Sequence, residues 1–200
     1  MISDKICDRL ITAGVIPEAQ KALYRYGVSQ LLLTALNVIT TALIGVLMGM
    51  IWQSLLFLAA YIPLRRFAGG IHASTPARCY FCSVGLIICV LFLLSKVPES
   101  ALPIGAAAVS AAAALWFLTP VEDPNKPFSE AEEVHFRRQS RRILLAETII
   151  ALVLLACGFF EAACCFVFAL WVLVFMDALG EAKNRRLKKN GRKHKTEYRW

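Results

Sequence analysis

The sequence predicts an all-α integral membrane bundle of about six transmembrane helices, preceded by an amphipathic interfacial helix, with both termini in the cytoplasm. Three observations predict it. The 200 residues are 58% hydrophobic and only 18% charged, whereas soluble domains are about half apolar and about a quarter charged. The apolar residues form long uninterrupted runs. Lys and Arg then alternate between the connecting segments in the manner of the positive-inside rule.

The elements follow in order. In residues 1–28, Ile2, Ile6, Leu10 and Ala13 recur at helical spacing among Asp4, Lys5, Asp8 and Arg9, the pattern of a helix lying on the membrane surface. Pro17 opens a second short turn, and Leu23, Tyr24 and Tyr26 suit the headgroup boundary. Residues 29–64 carry no charge. As one helix they would extend about 54 Å, too long for a hydrocarbon core of about 30 Å. Two spans near 29–48 and 51–64 fit better, turning at Gly49, Trp52 and Gln53, with Arg65 and Arg66 snorkelling at the end of the second. Further spans are expected near 79–97, 101–119, 143–160 and 162–179, and the domain they form covers 29–180. Polar loops at 65–78 and 120–142 and a basic tail at 181–200 complete the chain. The stretch SEAEEVHFRRQSRR at 129–142 has acids first and bases last, which suits a cytoplasmic helix leading into the fifth span.

The N-terminal stretch, the two polar loops and the tail hold 21 of the 22 Lys and Arg residues; the other turns hold only Lys96. That bias places both polar loops on the cytoplasmic side. It also accounts for the net charge of +8, so nucleic acid is not an expected partner. The N-terminus lacks the pattern of a cleavable signal peptide. Seven cysteines, mostly inside apolar runs, read as small hydrophobes and not as a disulfide framework.

The first polar loop and the residue after it read RRFAGGIHASTPARC. His72 and Cys79 are seven residues apart, about 10 Å along a continuous helix, so contact needs a bend. Pro76 supplies one, and Gly69 and Gly70 open unusual backbone conformations. Thr75 can cap a helix that begins at Pro76, leaving Cys79 in the first turn. A thiolate is favoured there by unpaired N–H groups and the helix dipole, with Arg78 adding positive charge. His72 could take the proton, and the Gly69–Gly70 backbone could donate to an oxyanion. The plain alternative is a loop histidine and a filler cysteine.

These residues resemble the signature of the AgrB family, membrane peptidases that process precursors of cyclic autoinducing peptides. The matching positions are Arg65, Gly70, His72 and Cys79. A second resemblance is TPVEDPNKP, on Pro120, Val121, Glu122, Pro124, Asn125, Lys126 and Pro127. The resemblance implies a cysteine endopeptidase of the bacterial cytoplasmic membrane, active on its inner face, with Cys79 and His72 catalytic. It would remove the C-terminal part of a short amphipathic precursor through a thioester, then let the peptide close a thiolactone or lactone used in quorum sensing. No cofactor and no metal is implied; the partners are the precursor, the lipid bilayer and a second copy of the chain. Arg65, Arg78, Glu122, Asn125, Lys126 and Glu147 are candidates for motif or substrate contacts. Lys126, Arg137, Arg138, Arg141 and Arg142 could hold the acidic C-terminal part of the precursor or simply anchor topology.

Other readings stand beside this one. Cys79 and Cys82 form a CxxC that could serve a membrane thiol–disulfide oxidoreductase, but such sites usually face an oxidising compartment. A non-enzymatic exporter would need a polar pathway, and Asn37, Glu147 and Asp177 offer little to build one. Thr34, Asn37 and Thr41 share a face expected to point into the bundle. Glu147 should be paired or face a cavity, near Arg65, Arg66 or the substrate path; Asp177 should pair with the basic tail, and His135 and His194 should be solvated.

Overall fold

The computed structural model describes residues 2–69, 76–97, 100–121 and 129–197. The helices are α1 (Ile2–Thr12), α2 (Lys21–Leu47), α3 (Ile51–Ala68), α4 (Pro76–Leu94), α5 (Ala101–Leu118), α6 (Glu130–Ala156) and α7 (Phe160–Glu197), with a 3₁₀ turn at Glu18–Gln20 before α2. Among the described residues there is no strand, only an isolated bridge between Gly69 and Val121. The protein is an all-helical membrane bundle.

Four segments are long and apolar enough to cross a bilayer: Glu18–Leu47, Ala77–Leu94, Ala101–Leu118 and Phe160–Leu187. α3 and α6 occupy the other two expected positions. α3 ends in Arg65 and Arg66, and α6 begins in a charged stretch, so their apolar portions are shorter.

Several boundaries differ from the sequence reading. α2 starts at Lys21, so Leu23 and Tyr24 belong to the same helix as the first span. α3 runs on past residue 64 with Pro63 inside it. The helix expected at 129–142 and the fifth expected span are one element of 27 residues, α6. Ser129 opens it with a capping box shared with Glu132, which satisfies N–H groups that a helix start leaves unpaired. The basic tail continues α7, and that helix of 38 residues would extend about 57 Å.

Two tight turns join neighbours. After α2 the Met50 N–H donates to Gly45 O and the Gly49 N–H to Val46 O; after α6 the Phe159 N–H donates to Leu154 O and the Gly158 N–H to Leu155 O. Both are Schellman closures. The second turn therefore lies at Cys157–Phe159 and not at Glu161. Where α2 and α3 meet, a Cβ on Gly45 would strike Ser54, so this small residue serves packing within the chain.

The tightest packing is among α3, α5, α6 and α7. Leu64, Ala111, Leu115, Leu144, Leu170 and Leu173 form one buried cluster there, and a second extends through Phe57, Ala108, Ala151 and Val167. α4 joins that second cluster by Ile87, Val90 and Leu91, all in its C-terminal half. Its first turns pack more loosely, against α2, where the Tyr80 and Thr40 hydroxyls lie 2.9 Å apart. Outward faces carry exposed Leu31, Ile39, Leu43, Leu102 and Phe117, as expected where the surroundings are lipid.

α1 docks on the start of α2 through Lys21–Asp8 at 2.6 Å and Arg25–Asp4 at 3.6 Å. Its buried residues are Ser3 and Cys7, while Ala13 is exposed. The packed stripe is thus offset from the apolar one, since α1 is held on α2 by these ion pairs. On α2, Thr41 is buried as expected. Asn37 is half-buried and donates to Leu33 O at 2.9 Å, and Thr34 is exposed.

Candidate active site

α4 begins at Pro76, and Cys79 lies in its first turn, half-buried beside the exposed Arg78. Pro76 suits this place because the first helical N–H has no intrahelical partner to lose. Ser83, one turn on, donates to the Cys79 carbonyl at 3.0 Å. His72, Gly70 and the predicted cap Thr75 lie outside the described residues, as do Glu122, Asn125 and Lys126 of the second motif.

The last turns of α3 bring further groups toward Cys79. Tyr61 is half-buried, stacks on Phe57 at 5.6 Å, and lies within electrostatic range of Arg65, Cys79 and Asp177. Arg65 is turned inward: its Nη1 lies 3.8 Å from Asp177 Oδ1, and its side chain is 18% exposed. The same nitrogen donates a short hydrogen bond to the Gly69 carbonyl. Arg65 therefore does not snorkel to water as the sequence suggested, because an acid on α7 offers it a closer partner. Arg66 does remain exposed, with its guanidinium 5.8 Å from the Phe67 ring.

Gly69 ends α3 with φ +83° and ψ −130°. A Cβ there would overlap the Val121 carbonyl oxygen, so the position admits only glycine. Beside it the Val121 N–H donates to Ala68 O at 2.8 Å. The bridge thus stitches together the segments that hold the two sequence motifs.

Below Val121 lies a small polar seam. Thr119 Oγ1 donates to Leu115 O at 2.9 Å, and Ser140 Oγ sits 3.4 Å from Thr119 Oγ1, both side chains buried. Two bases of α6 have partners. Arg137 pairs with Glu133 at 2.5 Å; Arg141 stacks over Trp116 at 4.5 Å and reaches its carbonyl at 3.5 Å. Glu130, Glu133, Val134, Arg137, Arg138 and Arg141 line an open cavity of about 360 Å³. His135 is exposed, as expected, and meets the Phe67 ring edge-on at 6.4 Å.

For the buried acids, pairing of Glu147 with Arg65 or Arg66 is not observed, and the expectation for Asp177 needs correction. Glu147 is buried on α6, but among the described residues no ion pair joins it to Arg65 or Arg66, and its Oε2 has no hydrogen-bond partner. Asp177 pairs with Arg65 and not with the basic tail. It is fully buried because α7 turns it toward Arg65 of α3. Asp177 and Tyr61 are the residues that sequence reasoning missed at this site. A lone acid in a span was the available signal for Asp177; Tyr61 sits four residues before Arg65, hence on its helix face.

All seven cysteines are free, and Cys82 is exposed.

The profile of the family AgrB, accessory gene regulator B, matches residues 3–176. An AgrB-like protein of Clostridium perfringens (strain SM101 / Type A) is 27% identical over 96 residues, 48% of this chain and 43% of that one. AgrB-like protein 2 of Clostridium perfringens (strain 13 / Type A) is 24% identical over 95 residues, 48% of this chain and 44% of that one. The matched stretch thus spans less than half of each relative. No solved structure matches the chain.

Proposed function

This chain belongs to the AgrB family, known in general for autoinducer peptide processing, and from that premise we propose that it is a membrane cysteine endopeptidase. Its substrate is a short amphipathic precursor peptide, and its nucleophile is Cys79. The position of Cys79 in the first turn of α4 carries the proposal, because a helix start favours negative charge on the attacking group and on the intermediate it forms.

The Cys79 sulfur attacks a backbone carbonyl of the precursor. His72 takes the thiol proton and passes it to the departing amine. The C-terminal fragment leaves and a thioester remains. An internal Cys or Ser of the peptide then attacks the thioester, closes the ring and frees the enzyme. Partial shielding at the lipid edge disfavours hydrolysis of the thioester. The basic segments argue for a site on the inner face of a bacterial cytoplasmic membrane. The remaining candidates, Arg78, Glu122, Asn125, Lys126 and Glu147, are proposed contacts to substrate or loop. A second copy of the chain remains a proposed partner.

The test pairs the full chain in membranes with the small peptide encoded beside its gene. Mass spectrometry should find a C-terminally trimmed acyl adduct on Cys79. Cys79→Ser and His72→Ala should abolish trimming at unchanged expression, and Cys82→Ala should leave it intact. Trimming that survives Cys79→Ser would refute the proposal; loss with Cys82→Ala would favour a redox pair.

A further inference from the structure

We infer that Asp177 is a positioning residue for the Cys79 site, acting through Arg65; the inference rests on the peptidase reading above. A buried carboxylate in a membrane helix is costly, and such groups persist where they serve a site. Asp177 is 0% exposed, and neither carboxylate oxygen has a hydrogen bond. Its ion-pair partner is Arg65 at 3.8 Å. A pair of this kind adds little stability over apolar residues of similar size, so its value lies in fixing a geometry.

Asp177 holds the guanidinium inside the bundle, and from there Arg65 donates to the Gly69 carbonyl. Gly69 is paired with Val121. The run Asp177, Arg65, Gly69, Val121 therefore connects α7, the end of α3 and the start of the second polar segment. It determines where the chain leaves α3 toward the nucleophile at the start of α4. One turn earlier on α3, Tyr61 lies in electrostatic range of Asp177, Arg65 and Cys79 alike. Without the acid, a long basic side chain at a membrane edge turns outward to water. The Gly69 carbonyl then loses its donor and the junction loosens.

The test uses the full chain in lipid nanodiscs. D177N removes the charge at nearly constant shape, D177E restores it, and the double variant R65M/D177L removes both partners. Two quantities are read: hydrogen exchange at the Val121 amide, and kcat and KM for trimming of the precursor. D177N should lower Val121 protection about tenfold, the effect of losing one hydrogen bond to a charged group. It should also lower kcat roughly ten- to hundredfold with little change in KM, as a displaced reacting group does. D177E should recover most of both. R65M/D177L should accumulate like the parent, since no lone charge stays buried, yet show the same losses. If D177N fails to accumulate, the double variant decides. Parental kcat in the double variant would overturn the proposal, as would altered exchange with unaltered kcat. Cys79→Ser, run in parallel, isolates failure of the peptidase reading: if it trims normally that reading falls, and Val121 exchange still judges the Asp177 contact.

Discussion

Replacing Gly69 by Ala should unseat the junction between the two polar segments. Gly69 has φ +83° and ψ −130°, a conformation that costs a residue with a Cβ about 1–3 kcal/mol. The new Cβ would also overlap the Val121 carbonyl oxygen. Relief requires Val121 to move, which breaks its 2.8 Å hydrogen bond to Ala68 and costs about 1 kcal/mol more. The sum is about 2–4 kcal/mol, or between roughly thirtyfold and several hundredfold in the open-to-closed ratio. Hydrogen exchange at the Val121 amide reads that ratio directly. Gly85→Ala is the matched control: a Cβ there meets nothing within 4 Å, so the helix should be stabilised by up to about 1 kcal/mol. Val121 protection in Gly69→Ala within about threefold of the parent, less than 1 kcal/mol, would refute the account of the junction.

Two further predictions concern the helices that hold it. Ser129→Ala removes a hydroxyl that accepts from the Glu132 N–H at 3.3 Å; the start of α6 should lose about 1 kcal/mol, read as faster exchange over residues 130–133, and unchanged exchange would contradict it. Leu173→Ala empties a fully buried position between α7 and its neighbours; it should cost about 2–5 kcal/mol, seen as a lower thermal midpoint in detergent, and an unmoved midpoint would refute the burial of Leu173 in the bundle core.

The helices were legible in the sequence wherever a local rule governs them. Charge-free runs located the spans, and Pro76 located the start of α4 because a proline is accommodated in a first turn. Acids before bases at 129–142 marked the leading part of α6, which then proved continuous with its span. The helical tail after residue 180 was not legible, because it has no apolar stripe to reveal its period and extends a helix nucleated upstream. The links that shape the candidate site were hidden for another reason. Arg65 meets Asp177, and Gly69 meets Val121, only once the bundle is assembled. From the sequence alone, Arg65 had water, Glu147 or a substrate as equally plain partners, and Asp177 had nine nearby bases.

The assembly also divides the site between two layers of unequal rigidity. Arg65 and Asp177 belong to α3 and α7, the most extensively packed pair in the bundle. Parting those helices would uncover Leu64, Leu170 and Leu173, all fully buried, and separate a charged pair. At about 1.5–3 kcal/mol for each large apolar side chain, that motion is prohibitive for a marginally stable fold. Cys79 belongs to the other layer. The first turns of α4 touch α3 and α7 only lightly, and of Ala77–Leu86 none is fully buried; the Tyr80–Thr40 contact ties them to α2 instead. Displacing the first turns of α4 would therefore uncover no fully buried residue, and it would leave the Arg65–Asp177 seat intact.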